Sequence, residues 1–80
     1  MGILSPDAIA SYDKALELKP DDDNAFYNKA VCYALQGQID LSIQNLQQAI
    51  NINPDKYREM AKTNSNFDSV RSHPKFKALI

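Results

Sequence analysis

Glycine, cysteine and histidine are scarce in this 80-residue sequence, which contains two, one and one of them. Two glycines are too few for a Gly-rich loop that cradles a phosphate, and no cysteine or histidine cluster has zinc-ligand spacing. Nucleophilic catalysis would need Cys32 beside His73, yet Cys32 falls on a buried helix face and His73 precedes Pro74 as a helix-start residue. The sequence therefore predicts no catalytic site, cofactor, metal or small-molecule substrate.

Long apolar runs are also missing. No run approaches the roughly 20 residues that cross a bilayer, and the N-terminus lacks the charged start and apolar core of a secretory signal. A single cysteine excludes an internal disulfide and fits a reducing compartment, with Cys32 as a small buried apolar residue. We therefore expect a cytoplasmic protein without a membrane span.

The composition favours helices, because Ala, Leu, Gln and Lys are plentiful and strand-type alternation is absent. A first helix is predicted to open at Ser5-Pro6, where Ser caps free amides and Pro fits the first turn, and to end at Lys19-Pro20. The three aspartates at 21–23 predict a solvated acidic turn at the N-terminus of the next helix.

The stretch from Asp23 to Pro54 has the pattern of a helical hairpin. Residues 24–36 are apolar nearly all round, so a helix there must be covered on every side. Gly37 interrupts the pattern, and apolar residues then recur at helical spacing from Ile39 until Asn53-Pro54 ends the second helix. Two helices joined by so short a turn lie antiparallel.

The sequence also repeats itself. Large apolar, alanine, branched apolar and proline positions of the first helix recur 34 residues later, in the pairs Tyr12 and Leu46, Ala15 and Ala49, Leu16 and Ile50, and Pro20 and Pro54. A helix-turn-helix unit of about 34 residues is the period of the tetratricopeptide repeat.

Residues 23–54 resemble one complete tetratricopeptide repeat, and residues 5–20 resemble the second helix of a preceding one. The family favours Gly where Ala30 stands and Ala where Ser42 stands, and both departures keep a small side chain, so close helix approach survives. The resemblance implies an all-α fold, a fragment of a right-handed α-solenoid built from antiparallel helix-turn-helix hairpins. The matching positions are Phe26, Tyr33, Gly37, Leu46, Ala49 and Pro54.

The repeat fades after Pro54, and residues 55–80 are similar to tails that close some tetratricopeptide arrays. Asp55 is predicted to cap a short helix through about Lys62, which the polar run 63–66 then breaks. Pro74 is predicted to begin a last helix, whose inward-facing residues are Phe76, Leu79 and Ile80.

Eighty residues with 44% apolar content make one domain at most, and a domain this small leans on regular packing or on a partner. We expect a single domain over 1–80. Its predicted parts are a half repeat at 5–20, a full repeat at 21–54 and a helical C-terminal cap at 55–80.

The resemblance implies a non-catalytic protein-interaction module or scaffold. Stacked hairpins expose a groove that holds a peptide or a partner helix. In this family the first helix of each repeat lines the groove, and Asn28 has an amide that can clasp a peptide backbone. Alternatively, the apolar members pack against neighbouring helices, and we expect core packing for Val31 and leave Tyr27 and Asn28 open. The implied contact residues are Asn24, Tyr27, Asn28, Val31 and Leu35.

Family members that recognise C-terminal carboxylates use a clamp of basic and amide side chains spread over several first helices. This chain has one such helix, so we expect no clamp. Lys29 is accordingly predicted to be a solvated charge.

A second hypothesis is self-association through the first helix. Its apolar stripe, with Ile9, Tyr12 and Leu16, would pack against a helix that this chain does not encode, and exposed apolar stripes invite pairing. The charges are also uneven. Residues 1–54 hold three basic and seven acidic residues, a net charge of −4, while residues 55–80 hold six and three, a net charge of +3. A head-to-tail homo-oligomer and a monomer both remain open.

The basic residues of 55–80 are interleaved with aromatic ones, a pattern that suits phosphate contact and base stacking. Against this, the whole chain has a net charge of −1, and the aromatic residues fall at core spacings. We therefore expect a solvated basic surface in preference to nucleic-acid contact.

Overall fold

The computed structural model describes residues 6–80, which form five α-helices and one short 3-10 helix, with no strand among them. The predicted all-α helical-hairpin fold is confirmed, and the predicted cap at Ser5 lies outside the described residues. Within residues 6–80 no helix combines the length and the apolarity that a membrane span requires. The elements are α1 (Pro6–Leu18), α2 (Asp23–Leu35), α3 (Ile39–Ile52), α4 (Pro54–Thr63), the 3-10 helix (Ser65–Phe67) and α5 (Pro74–Leu79).

The helices α2 and α3 form the central hairpin. Gly37 in the turn has a φ of 77°, a left-handed conformation that residues with a Cβ rarely adopt. Ala30 and Ala49 are completely buried, so small side chains occupy the contact between the two helices. Ser42 lies there as well, and its Oγ donates a hydrogen bond of 2.8 Å to the carbonyl oxygen of Ala30. This buried hydroxyl is therefore satisfied.

The middle helix of the stack is α2. It packs against α3, against α1 and against the 3-10 helix. Neighbours on several sides explain why its apolar residues run nearly all round, as the sequence predicted. Its buried residues are Ala25, Tyr27, Ala30, Val31, Cys32 and Ala34.

Residues 55–80 extend the core of the hairpin. Both α4 and α5 pack on α3, while the 3-10 helix packs on α2. Phe76 faces inward as predicted, whereas Ile80 lies beyond the end of α5 and is exposed. The prediction that Asp55 caps α4 is wrong. The helix begins at Pro54, which has no N–H and fits the first turn, so Asp55 lies inside that turn.

Arg71 joins the end of α4 to the segment that follows it. Its guanidinium donates hydrogen bonds to the carbonyl oxygens of Ala61, Lys62 and Asn64, at 3.0, 2.8 and 2.7 Å. Carbonyl groups at the end of a helix have no partner within that helix. Arg71 therefore caps the C-terminal end of α4 from a position seven residues beyond Asn64.

Candidate partner-binding surface

Two neighbouring aspartates fix the N-terminal end of α2. Asp22 Oδ1 accepts a hydrogen bond of 3.1 Å from the backbone N–H of Ala25, which makes Asp22 a side-chain N-cap. Asp23 Oδ2 accepts a hydrogen bond of 3.1 Å from the Tyr57 hydroxyl. The turn predicted as solvated is therefore partly engaged, because Asp22 caps α2 and Asp23 connects it to α4.

Two of the five expected contact residues, Tyr27 and Val31, are buried, with 4% and 6% of their surfaces exposed. The Tyr57 and Phe67 rings cover Tyr27, with ring centres 5.1 and 5.7 Å from its own. Val31 belongs to the same core, the role that the alternative gave it. Tyr27, for which the sequence left groove contact and core packing open, is in the core because residues 55–80 fold back over this face of α2.

Hydrogen bonds also hold residues 55–80, which we call the cover, against α2. Asn64 Nδ2 donates to the hydroxyl oxygen of Tyr27 at 2.8 Å, and Ser69 Oγ donates to the carbonyl oxygen of Ala34 at 3.2 Å. Each bond joins α2 to the segment after α4, more than 30 residues along the chain. The cover is therefore fastened by polar contacts as well as by ring packing.

The cover also changes the acidity of both tyrosines. Burial raises the pKa of Tyr57 to about 12, helped by its hydrogen bond to Asp23 and by the negative charges of Asp23 and Asp22. Burial likewise raises the pKa of Tyr27, and the hydrogen bond from Asn64 opposes that rise. Both phenols are therefore held in their neutral form more strongly than free tyrosine.

The other three expected residues, Asn24, Asn28 and Leu35, remain accessible. Asn24 is exposed, Asn28 is half-buried, and 40% of Leu35 is exposed. Neither asparagine side chain makes a hydrogen bond to a residue that the structure describes, so both amides have free donors and acceptors. We call these three residues the α2 edge. They lie at positions i, i+4 and i+11, which places them on one side of the helix.

Lys29 does not point freely into solvent. Its Nζ lies 2.6 Å from Asp13 Oδ1, and only 15% of its side chain is exposed. The prediction of a solvated charge is wrong because α1 packs against α2 and brings Asp13 to it. Lys29 is therefore engaged in an ion pair between α1 and α2.

The stripe expected to mediate self-association lies on α1. Ile9, Tyr12 and Leu16 are each half-buried, and Leu18 at the end of the helix has 79% of its surface exposed. Their counterparts 34 residues later include Leu46 and Ile50, which are almost completely buried in the core. The α1 stripe therefore keeps apolar surface that its repeat counterpart loses.

The two side chains considered for nucleophilic catalysis, Cys32 and His73, both have structural roles. Cys32 is completely buried in α2, and burial raises the pKa of its thiol. His73 is the N-cap of α5, and its Nδ1 accepts a hydrogen bond of 3.2 Å from the backbone N–H of Lys75. Among residues 8–80 no three His, Cys, Asp or Glu side chains are grouped as metal ligands.

The sequence did not reveal the cover over α2. The spacing of Tyr57, Phe67 and Phe76 does not indicate which helix these residues reach. A usable signal was the pair Asp23 and Tyr57, which are 34 residues apart and meet in the structure. Residues at equivalent positions of stacked repeats lie close together.

Two family models match the chain. The one described as tetratricopeptide repeat matches residues 24–56, and the one described as TPR repeat matches residues 6–37. Together they span residues 6–56. The chain belongs to the tetratricopeptide-repeat family. Comparison with curated proteins and with solved structures gives no match.

Tetratricopeptide repeats generally mediate protein–protein interaction and scaffolding, and they are typically non-catalytic modules. The matched residues include all of α1, α2 and α3, and the start of α4. The remainder of α4, the 3-10 helix and α5 lie outside both matches. Tyr57 of α4, Asn64, and Phe67 of the 3-10 helix, which contact Tyr27, all lie in this unmatched part of the chain.

Proposed function

We propose that this tetratricopeptide-repeat chain is a non-catalytic interaction module that binds its partner protein along the α2 edge. The proposal rests on the difference in exposure among the five residues expected to line the groove. Tyr27 and Val31 are buried, whereas Asn24, Asn28 and Leu35 are accessible. The accessible residues combine two amides, which can hydrogen-bond a peptide backbone, with one apolar side chain, which can contact a peptide side chain.

The α2 edge suits a short extended peptide. It spans eleven residues of helix, about 16 Å, which is the length of about five residues of extended chain. The Asn24 and Asn28 amides can each donate to and accept from a peptide backbone, and Leu35 offers contact to one apolar side chain. Because Lys29 is paired with Asp13, the edge has no free cation for a terminal carboxylate. We therefore propose a neutral internal segment of a protein as the ligand.

Selection from a random peptide library on the full chain tests this proposal. The selected peptides should bind with micromolar Kd, and Asn28→Ala should weaken them about fivefold, the equivalent of about one hydrogen bond. Gln44→Ala is the matched control, because it removes an exposed amide from α3 instead. If Asn24→Ala, Asn28→Ala and Leu35→Ala all bind the peptides as well as the parent chain does, the α2 edge is not the binding surface.

A second candidate is the self-association of the α1 stripe, supported by the half-exposed Ile9, Tyr12 and Leu16. Sedimentation from micromolar to near-millimolar concentration tests it, with Tyr12→Ala expected to weaken any oligomer.

We also propose a cytoplasmic location. It is supported by the single cysteine, which forms no internal disulfide and fits a reducing compartment.

A further inference from the structure

The outer side of α3 carries no charge beyond Asp40 in its first turn. Residues 41–54 contain no Asp, Glu, Lys or Arg, in a chain that is 24% charged. Leu41 and Ile52 are exposed at the two ends of this side, with 37% and 42% of their surfaces accessible. Depletion of charge around exposed apolar residues distinguishes the centre of a protein interface from ordinary surface.

Four residues of this side form one stripe. They occur at i, i+4, i+7 and i+11, so they fall on a single narrow face of the helix. Asn45 is half-buried, and Gln48 is exposed. We call them the α3 stripe, which consists of Leu41, Asn45, Gln48 and Ile52.

The stripe has the same order in both directions. Read from either end it is apolar, amide, amide, apolar, with steps of four, three and four residues. A two-fold dimer places a surface against an inverted copy of itself, so such a surface must be self-complementary. Antiparallel packing of two copies of α3 sets Leu41 against Ile52 of the second copy, and Asn45 against Gln48 of the second copy.

The amide hydrogen bonds agree with this register. Asn45 Nδ2 already donates to the Leu41 carbonyl oxygen at 2.8 Å, which leaves Asn45 Oδ1 as an acceptor. The Gln48 side chain makes no hydrogen bond to a residue that the structure describes, so its Nε2 is an available donor. The two-fold axis generates this donor and acceptor pair twice.

We propose that the α3 stripe is the interface of a weak two-fold homodimer. The contact is about 16 Å long and one helix face wide, so it lies at or below the small end of specific interfaces. Association is therefore expected only at about 100 μM and above. The proposal concerns α3 and is independent of peptide binding on the α2 edge.

Sedimentation equilibrium of the full chain from about 10 μM to about 1 mM, in the absence of peptide, tests the interface. The parent chain should approach dimer mass, and Gln48→Lys should weaken association at least about tenfold by bringing two like charges near the axis. Ser11→Lys is the control, because it adds the same charge at an exposed residue of α1, away from α3, and should leave the mass unchanged. Thermal unfolding of each variant establishes that it is folded.

Mixing two variants tests the register. Asn45→Asp should also weaken self-association, yet an equimolar mixture with Gln48→Lys should form a heterodimer, because the new Asp faces the new Lys only in the antiparallel register. A monomer up to about 1 mM would overturn the proposal, as would a dimer that Gln48→Lys leaves intact. Failure of the mixture to associate would overturn the pairing of Asn45 with Gln48.

Discussion

Ser42 Oγ donates a hydrogen bond of 2.8 Å to the carbonyl oxygen of Ala30, joining α3 to α2 between two buried residues. Nothing larger than a methyl or hydroxymethyl group stands at either position. We expect Ala30→Leu to overpack this contact and to lower the free energy of unfolding by about 1 to 3 kcal/mol. Urea unfolding followed by circular dichroism measures the change.

The control for this change is Ala10→Leu, which enlarges an exposed alanine of α1. It should alter the free energy of unfolding by less than about 0.5 kcal/mol. Ser42→Ala should cost only about 1 kcal/mol, because the Ala30 carbonyl can keep its partner within α2. Equal losses for Ala30→Leu and Ala10→Leu would show that the small residues of the hairpin are not needed for close packing.

Stability should fall at high pH because of Tyr57. Its pKa is about 12 in the folded chain and 10.0 for an unperturbed tyrosine, so the folded state holds the proton more tightly. The resulting stability is present in full below pH 10 and is lost as the pH rises from 10 to 12, by about 2 to 3 kcal/mol. Urea unfolding at pH values from about 8 to 12 follows the loss.

Tyr57→Phe is the matched variant for the pH series. It removes the phenol and the hydrogen bond to Asp23, so the decline above pH 10 should become shallower. Tyr27, whose pKa burial also raises, accounts for the part that remains. A Tyr57→Phe curve parallel to that of the parent chain would contradict the assignment.

Cys32 should react with thiol reagents only when the chain unfolds. Its side chain is completely buried, so reagents cannot reach it. Burial also raises the pKa of its thiol, so little of the reactive thiolate forms. For a domain stable by about 5 kcal/mol, alkylation in buffer should be slower than in denaturant by a factor of about a thousand or more. Mass spectrometry of timed samples measures the two rates.

An exposed cysteine provides the comparison. Ser72→Cys in a Cys32→Ala background should be alkylated at nearly the same rate with and without denaturant, because residue 72 is exposed. Rapid alkylation of Cys32 in the folded parent chain would mean that α2 is less well covered than the structure shows.

Arg71→Lys should destabilise the chain by about 1 to 2 kcal/mol, measured by urea unfolding. The ammonium group of lysine cannot reproduce the planar guanidinium of Arg71, whose N–H groups donate to the carbonyl oxygens of Ala61, Lys62 and Asn64. Lys75→Arg is the reverse change at an exposed position and should have no measurable effect. Equal stability of Arg71→Lys and the parent chain would show that the three hydrogen bonds contribute little.

The sequence predicts the helices well because their signals are local. The bounds of α1 agree with the predicted ones, and Gly37 and the end of α3 fall where the pattern places them. The placement of side chains by distant segments is not predictable in this way. The pattern does not decide between groove and core for Tyr27, which Phe67 covers, and it assigns Lys29 to solvent although Asp13 reaches it. Helical periodicity gives the face of a residue, but it does not identify which remote segment packs there.

The sequence separation of the contacts over α2 predicts the order in which parts of the chain fold. The α2–α3 hairpin closes a turn of three residues, whereas the hydrogen bonds of Asn64 to Tyr27 and Ser69 to Ala34 close loops of 37 and 35 residues. Longer loops cost more entropy to close, and contacts of low sequence separation form faster. We therefore expect the hairpin to form first and residues 64–70 to dock onto it. Peptide amides in those residues are the ones whose hydrogen exchange should report the last step of folding.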